Sequence, residues 1–568
     1  MNQGAEAVAG RVLEATLSLA GERYRAGRLT DAEALFRRAL EMSPTNADAC
    51  NMLGVVLAER ANPLQALKYM DRAIQLAPER SAFHTNRGEI LRRWGLVDEG
   101  LQSCRRAAEL APDSAEARNN LGLALLGVGR VDEAVPHFRA AILANGAMAQ
   151  AHFNLGRALR ALGQLPAARE AQAAALRVDP KFAEAWYELA CVQERTDDLE
   201  GSLASCRQAL ACKPAFPEAW VQIGDACTGL ADDDRALDAY RRALEINPDY
   251  AVARYQLSLC LLGRGAFDEG WKQYESRQDP TIPGAVTAPL LPMPMWQGEP
   301  ISGRRLLVLT EQGYGDHIQF CRLVPHLASH GIEVWMGSSP ELAPLMLRLP
   351  GVSRVFTQVE EAWTCGCDYW TFVGSLPMRF GVKAEAVPAQ VPYLGTDADK
   401  LARWRERFAA VGSPCKVGLV WAGRPTHGND WRRSIALDAL APLAEVEGVT
   451  FVSLQKGQRS ADAAQAPASM DLLRVGDELA DFGDTAAVLS AVDLLISVDS
   501  SPVHLAGALG RPVWTLLPFQ PDWRWRLDEE VSRWYPTMRL FRQQRRGEWG
   551  DVVGRVADAL RGFVRSRG

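Results

Sequence analysis

Residues 311–320 read EQGYGDHIQF one residue after the apolar run LLVL at 306–309, and Asp499-Ser500-Ser501-Pro502-Val503-His504 stands at the end of another such run, LLISV at 494–498. Short continuous apolar runs mark parallel strands buried on both faces, and ligands of such sheets gather beyond the strands' carboxyl ends. In the first stretch, Asp316 is a carboxylate able to accept a proton from an attacking hydroxyl, and His317 is the competing base. Gly313 and Gly315 allow a tight turn and close approach of backbone to a ligand, and Glu311 and Gln312 are expected to order the loop. In the second stretch, Ser501 reads as a helix N-cap and Pro502 as the first helical residue. A helix amino terminus then points out of the strand's end and makes an anion site, with a nucleotide phosphate as its natural occupant. His504 would donate to that phosphate; the plainer alternative is a capped helix with a packed histidine.

These stretches sit in a half of the chain where apolar runs alternate with helical patterns. LLVL and EVWM (333–336) form one series; after a break near 396–414, KVGLVW (416–421), VTFVSL (449–454), DLLISV (493–498) and PVWTLL (512–517) form another. Such alternation predicts parallel sheets, and two series predict two Rossmann-like lobes facing across a cleft, over 303–395 and 396–568. Residues 279–302 are rich in proline and read as an ordered or semi-rigid linker.

Before the linker, over 1–278, the chain repeats every 34 residues. Prolines stand at 44, 78, 112, 180, 214 and 248, with Gly146 at the skipped position, and alanines stand at 39, 73, 107, 141, 175, 209 and 243. A third column holds Gly54, Gly88, Gly122, Gly156, Ala190 and Gly224. Each unit predicts two amphipathic helices, with small residues where they cross and proline where the second stops. The columns resemble tetratricopeptide repeats, which implies an α-solenoid whose concave surface binds polypeptides. Asn51, Asn119, Asn120 and Asn154 resemble the asparagine ladder with which the O-linked N-acetylglucosamine transferase array holds an acceptor backbone; ordinary surface polarity is the other reading.

Composition narrows the classes. With 48% hydrophobic and 23% charged residues the chain is neither membrane-like nor disordered. The net charge of −6 divides into 33 basic against 37 acidic residues before residue 279 and 30 against 32 after it, which leaves no basic excess for nucleic acid. The amino terminus lacks a leader pattern and no run is long enough to span a membrane, so a cytoplasmic location is expected. Eleven cysteines without pattern read as reduced thiols; Cys365-Gly-Cys367 has no second ligand pair, and Asp232–Asp234 falls in an inter-helix turn, so no metal site is expected.

Two stretches together, GYGDHIQF at 313–320 and Ser497-Val498-Asp499 running into SSPVHLAGALGRPV at 500–513, resemble the ADP-heptose heptosyltransferase family. That resemblance covers about residues 300–560 and implies a B-type glycosyltransferase architecture of two lobes. It implies Asp316 as catalytic base, and Asp499, Ser500, Ser501 and His504 as holders of the donor's phosphates. A basic residue after the second lobe's first strand also contacts phosphate in the family; here the loop WAGRPTHGNDWRRS offers Arg432 or Arg433 in place of the usual lysine. Lys456, Gly313 and Gly315 complete the expected donor side, and no metal or other cofactor is implied.

Taken with the repeats, the chain is similar to bacterial tetratricopeptide-containing glycosyltransferases, and among them to flagellin glycosyltransferases. The resemblance implies transfer of a sugar, such as pseudaminic acid or a related nonulosonate, from a nucleotide-sugar to serine or threonine of flagellin recruited by the array. A heptosyltransferase-like enzyme acting on lipopolysaccharide or another glycan, and a noncatalytic repeat adaptor, are the alternatives.

Overall fold

The computed structural model describes residues 2–311, 313–426, 428–525 and 529–567, so Gln312 lies outside the described residues. The chain divides into two compact units, Met1–Ala226 and Cys227–Gly568.

The first unit is an array of antiparallel helix pairs, such as Ala47–Glu59 with Pro63–Leu76 and Ala115–Gly127 with Val131–Ala144. The second helix of a pair ends two residues before its proline, as at Met42, Leu76, Leu110, Val178 and Cys212. Ala39, Ala73, Ala107, Ala141, Ala175 and Ala209 are all fully buried, which leaves no volume for a larger side chain where helices cross. The glycine column serves the same contact from the other side: a Cβ on Gly122 would come 2.6 Å from the Phe138 ring. A further column not read from the sequence lies in the turn within each pair. Gly27, Ala61, Gly95, Gly129, Gly163 and Asp197 all hold a left-handed backbone, and two of these six positions manage without glycine.

The second unit begins with the helices Asp233–Ile246, Ala251–Gly263 and Phe267–Tyr274, which continue the 34-residue period. Two parallel sheets follow. The first has strands β1 (Arg305–Leu309), β2 (Glu333–Gly337), β3 (Val352–Phe356) and β4 (Tyr369–Phe372) in the order β3-β2-β1-β4. Leu306 stands opposite both Val334 and Tyr369. The second has β5 (Cys415–Val420), β6 (Val449–Ser453), β7 (Leu472–Arg474), β8 (Leu494–Val498), β9 (Val513–Leu517) and β10 (Met538–Arg542) in the order β10-β9-β8-β5-β6-β7. That is the doubly wound order, in which the chain reverses direction between β5 and β8; β1 and β4 flank the corresponding reversal in the first sheet. β5, β6, β8 and β9 are buried along almost their whole length, as the apolar runs required.

The proline-rich segment is ordered against the first sheet. Met295 pairs with Trp370, the Trp296 N–H donates to the Trp370 carbonyl at 2.8 Å, and Met293, Trp296 and Ile301 are buried. Among the described residues no helix is long and apolar enough to cross a membrane.

Candidate active site

An aromatic cluster sets the floor of the site. Trp271, from the helix Phe267–Tyr274, packs edge-on against Phe320 and Trp523 at 6.0 and 5.4 Å, and Trp534 closes the group at 6.2 Å from Phe320 and 6.0 Å from Trp523. This holds the short helix Tyr314–Phe320, which follows β1, against the segment that follows β9. Arg322 ties the same elements: its guanidinium donates to the carbonyls of Pro388 and Trp534 at 2.6 and 2.8 Å and to the Tyr393 hydroxyl at 3.1 Å.

On that floor the two motif stretches meet. A Cβ on Gly315 would come 2.8 Å from the His504 ring, so only glycine lets the helix after β1 lie against the helix Ser501–Ala508. Asp316 accepts the Gly313 N–H on Oδ2 at 3.0 Å and pairs through Oδ1 with Arg524. The buried Arg524 guanidinium also donates to Gln319 and, at 2.8 Å, to Asp522. Arg424, in the loop after β5, lies 5.8 Å over the Tyr314 ring, so loops from both sheets border the same place.

His504 is buried, with Nδ1 at 3.1 Å from the Tyr535 hydroxyl and its ring 5.4 Å from Trp525. Burial, reinforced by Arg524, Arg322 and Arg433, holds it well below the usual histidine value, so the imidazole is neutral at pH 7. Asp499 moves the other way: burial and the Asp522 carboxylate push it up to about 6, against the opposing pull of Arg433. The helix starts one residue earlier than its sequence suggests, with Ser500 as N-cap, Ser501 as first residue and Pro502 as second. The Ser500 hydroxyl does not cap; it turns back to the Val498 carbonyl at 3.1 Å and the Ser497 hydroxyl at 3.2 Å.

The other expected residues stand elsewhere. His317 is buried in the interior, neither ring nitrogen has a hydrogen-bond partner among the described residues, and burial pushes it down to about 3. Arg433 pairs with Asp430 at 3.3 Å and its charge acts on Asp499 and His504, whereas Arg432 lies 4.7 Å over the exposed Trp431. Lys456 bonds the Leu479 carbonyl. In the array, Asn51, Asn119 and Asn154 are buried and face other asparagines: Asn154 Nδ2 donates to Asn119 Oδ1 at 2.8 Å and Asn86 Nδ2 to Asn51 Oδ1 at 3.3 Å. Asn120, half-buried, accepts from Asn119 at 3.3 Å. Glu311 is buried with Arg277, which donates to its two oxygens at 2.7 and 2.8 Å, and the Gly374 N–H donates to it at 2.6 Å.

Sequence reasoning missed Arg524, Arg277, Trp525 and Tyr535. Asp522-Trp523-Arg524-Trp525 follows a strand's carboxyl end, and two tryptophans around an arginine were the available signal.

Comparison with known proteins gives the class first. Tetratricopeptide repeat models match residues 23–90, 119–177, 159–217 and 217–250, and the glycosyltransferase family 9 (heptosyltransferase) model matches 439–526, which holds Asp499 to His504 and Arg524. The chain therefore joins tetratricopeptide repeats to a glycosyltransferase family 9 segment. It is also 33% identical over 333 residues to Protein FlbA of Caulobacter vibrioides, an alignment that takes in 54% of each chain, so this chain spans about half the length of that relative. Among solved structures, the Pseudomonas aeruginosa pilF structure aligns over 37% of this chain and 96% of its own at 20% identity and a TM-score of 0.34. The APC/C hetero-tetramer Cut9–Hcn1 aligns over 47% and 53% at 18% identity and a TM-score of 0.38.

Proposed function

We propose that the chain is a protein O-glycosyltransferase of the two-lobed B type, transferring a sugar from a nucleotide-sugar to serine or threonine of a protein recruited by the repeat array. The observation that carries this reading is the meeting of Gly315 and Asp316 with His504 and Arg524 beyond the carboxyl ends of β1 and β8. The sheet over 303–395 is then the acceptor side and that over 396–568 the donor side, with 1–278 as the acceptor-recruiting array and 279–302 as the linker. Asp316 takes the proton of the acceptor hydroxyl as its oxygen attacks the anomeric carbon. The bond from that carbon to the phosphate oxygen breaks, and the charge left on phosphate meets arginine and the amino terminus of the helix Ser501–Ala508 without a metal. His504, neutral and fixed by Tyr535, is a hydrogen-bond donor to phosphate rather than a proton shuttle.

The reading extends, by the family resemblance, to flagellin as acceptor in the cytoplasm and to pseudaminic acid or a related nonulosonate as sugar. An array able to hold polypeptide favours a protein acceptor over lipopolysaccharide, because tethering raises the acceptor's local concentration to about the millimolar range. Intact-mass analysis of flagellin and of total protein from cells with and without the gene tests it. A mass shift that depends on the gene is expected; identical masses overturn the reading. Asp316→Asn should lower turnover by about 10²- to 10⁴-fold, and unchanged turnover would remove Asp316 as the base.

A further inference from the structure

We propose that Arg524 grips the leaving phosphate of the nucleotide-sugar and must release Asp316 to do so, an inference that rests on the glycosyl-transfer reading above. The Arg524 guanidinium is buried, 4.6 Å from the Trp523 ring and 5.6 Å from the Phe320 ring. It has five N–H donors, and the acceptors among the described residues are Gln319 Oε1, Asp522 Oδ1 and Asp316 Oδ1. Each of its three nitrogens is engaged and two of the three acceptors are carboxylates, so a further anion enters only by displacing one of them.

The three bonds differ in what holds them. Gln319 is fully buried and anchors Nε from below, while the Asp316 side chain is 20% exposed and borders the open side. Asp316 also has a second hold, since Oδ2 accepts the Gly313 N–H at 3.0 Å. The carboxylate therefore keeps its place when the guanidinium turns away. A phosphate offers arginine a pair of anionic oxygens that match its forked donors, and it competes for the same Nη2.

Exchange of one anion for the other does two things at once. While Oδ1 of Asp316 is bonded to the guanidinium, that oxygen is taken up by Arg524 and is not offered to an acceptor hydroxyl. Binding of the donor phosphate thus frees Asp316 when a leaving group is in place and not before. The acceptor oxygen then forms its bond to the anomeric carbon, its proton passes to Asp316, and the carbon–oxygen bond to phosphate breaks with its electron pair going to the phosphate oxygen beside Arg524.

The test is calorimetric titration of the full chain with inorganic pyrophosphate and with CMP, UDP and ADP. Asp316→Asn, which preserves size and removes the competing charge, should tighten binding several-fold although it lowers turnover, and Arg524→Met should weaken binding at least tenfold, with Arg524→Lys between. Should Arg524→Met fail to fold, the Asp316→Asn result alone decides. Affinity unchanged or weakened by Asp316→Asn overturns the exchange. Nucleotides bound equally by wild type and Arg524→Met overturn it while leaving the glycosyl-transfer reading intact. Pyrophosphate bound with the expected pattern and no nucleotide bound leaves the grip standing and removes the glycosyl-transfer reading. No anion bound by any form overturns both.

Discussion

The crevice beyond β1 and β4 and the crevice beyond β5 and β8 occupy the same topological position in their two sheets, and they are furnished in opposite ways. In the first, Arg277 enters from the segment after the last repeat helix and makes a two-pronged pair with Glu311. Its remaining contacts go to Glu275 at 2.6 Å, the Tyr274 carbonyl at 3.1 Å and the Ser375 hydroxyl at 2.9 Å. A Cβ on Gly374 would come 2.4 Å from Glu311 Oε1, so only glycine fits beside this pair. Burial pushes Glu311 up while Arg277 and the Gly374 N–H pull it back, and the same carboxylates outweigh burial to hold Arg277 above its ordinary value. In the second crevice, Asp499 faces Asp522, and the helix that begins there has no side-chain cap. A position that ligands favour is closed with the protein's own ion pair in one sheet and left with unbalanced charge in the other. The closed pair supports the fold, whereas the excess in the open crevice is of carboxylates, so an anionic ligand there depends on Arg433 and Arg524.

Breaking the closed crevice should have the largest effect. Arg277→Met leaves Glu311 buried without its cation, and removing one partner of a buried pair costs about 3–5 kcal/mol. Urea unfolding of the full chain should show that loss, and Arg277→Met with Glu311→Leu should recover part of it because no charge is then stranded. Truncation strands Glu311 in the same way: a fragment starting at Pro292 lacks both Arg277 and Trp271 and should unfold more readily than one starting at Cys227. A loss below about 1 kcal/mol for Arg277→Met would show that the crevice is not held by this pair.

The difference between the crevices also explains what could be read from the sequence. β1, β2, β5, β6, β8 and β9 were legible as apolar runs, whereas β3, β4, β7 and β10 were not. These four are the outer strands of their sheets. β3 (VSRVF) and β7 (LLR) carry exposed residues and an arginine, so their pattern is diluted where one side faces solvent. The repeat was legible because a contact made again every 34 residues leaves a column, as the buried alanines do. Asp316, Asp499 and His504 were legible because a glycine-marked loop and a Ser-Ser-Pro helix start single out the stretches that hold them. Arg524 and Arg277 were not, since their roles depend on partners more than 30 residues away, and the inward turn of His317 depends on which face of a seven-residue helix meets the sheet.

A change of opposite sign is expected in the open crevice. Asp499 has a folded value of about 6, above the ordinary carboxylate value, so the folded state holds its proton more tightly than the unfolded chain. Stability from this group is present at low pH and is lost as pH rises through about 6. Asp499→Asn should therefore raise the unfolding free energy at pH 7 and above by on the order of 1 kcal/mol, a figure reduced because the side chain is only half-buried. Below about pH 4 the two proteins should be equally stable. Equal stability at both pH values would mean that Asp499 is already balanced, and the contrast between the crevices would lose its electrostatic basis.

The smallest effect should separate a capped helix from an uncapped one. Ser114 and Ser500 are both serine N-caps with extended backbones, but the Ser114 hydroxyl accepts the Ala117 N–H at 3.2 Å whereas the Ser500 hydroxyl makes no cap bond. Replacing a serine that caps costs about 1 kcal/mol. Ser114→Ala should show that loss, while Ser500→Ala gives up only its bonds to Val498 and Ser497 and should cost about 0.5 kcal/mol. The larger distinction is expected in phosphate buffer. An anion at the amino terminus of Ser501–Ala508 meets the positive end of the helix whether or not the serine hydroxyl is present, so phosphate should stabilise wild type and Ser500→Ala alike. Thermal unfolding in phosphate and in an uncharged buffer measures this, and a Ser500→Ala cost equal to that of Ser114→Ala would show that Ser500 caps its helix after all, leaving less of that terminus open to a phosphate.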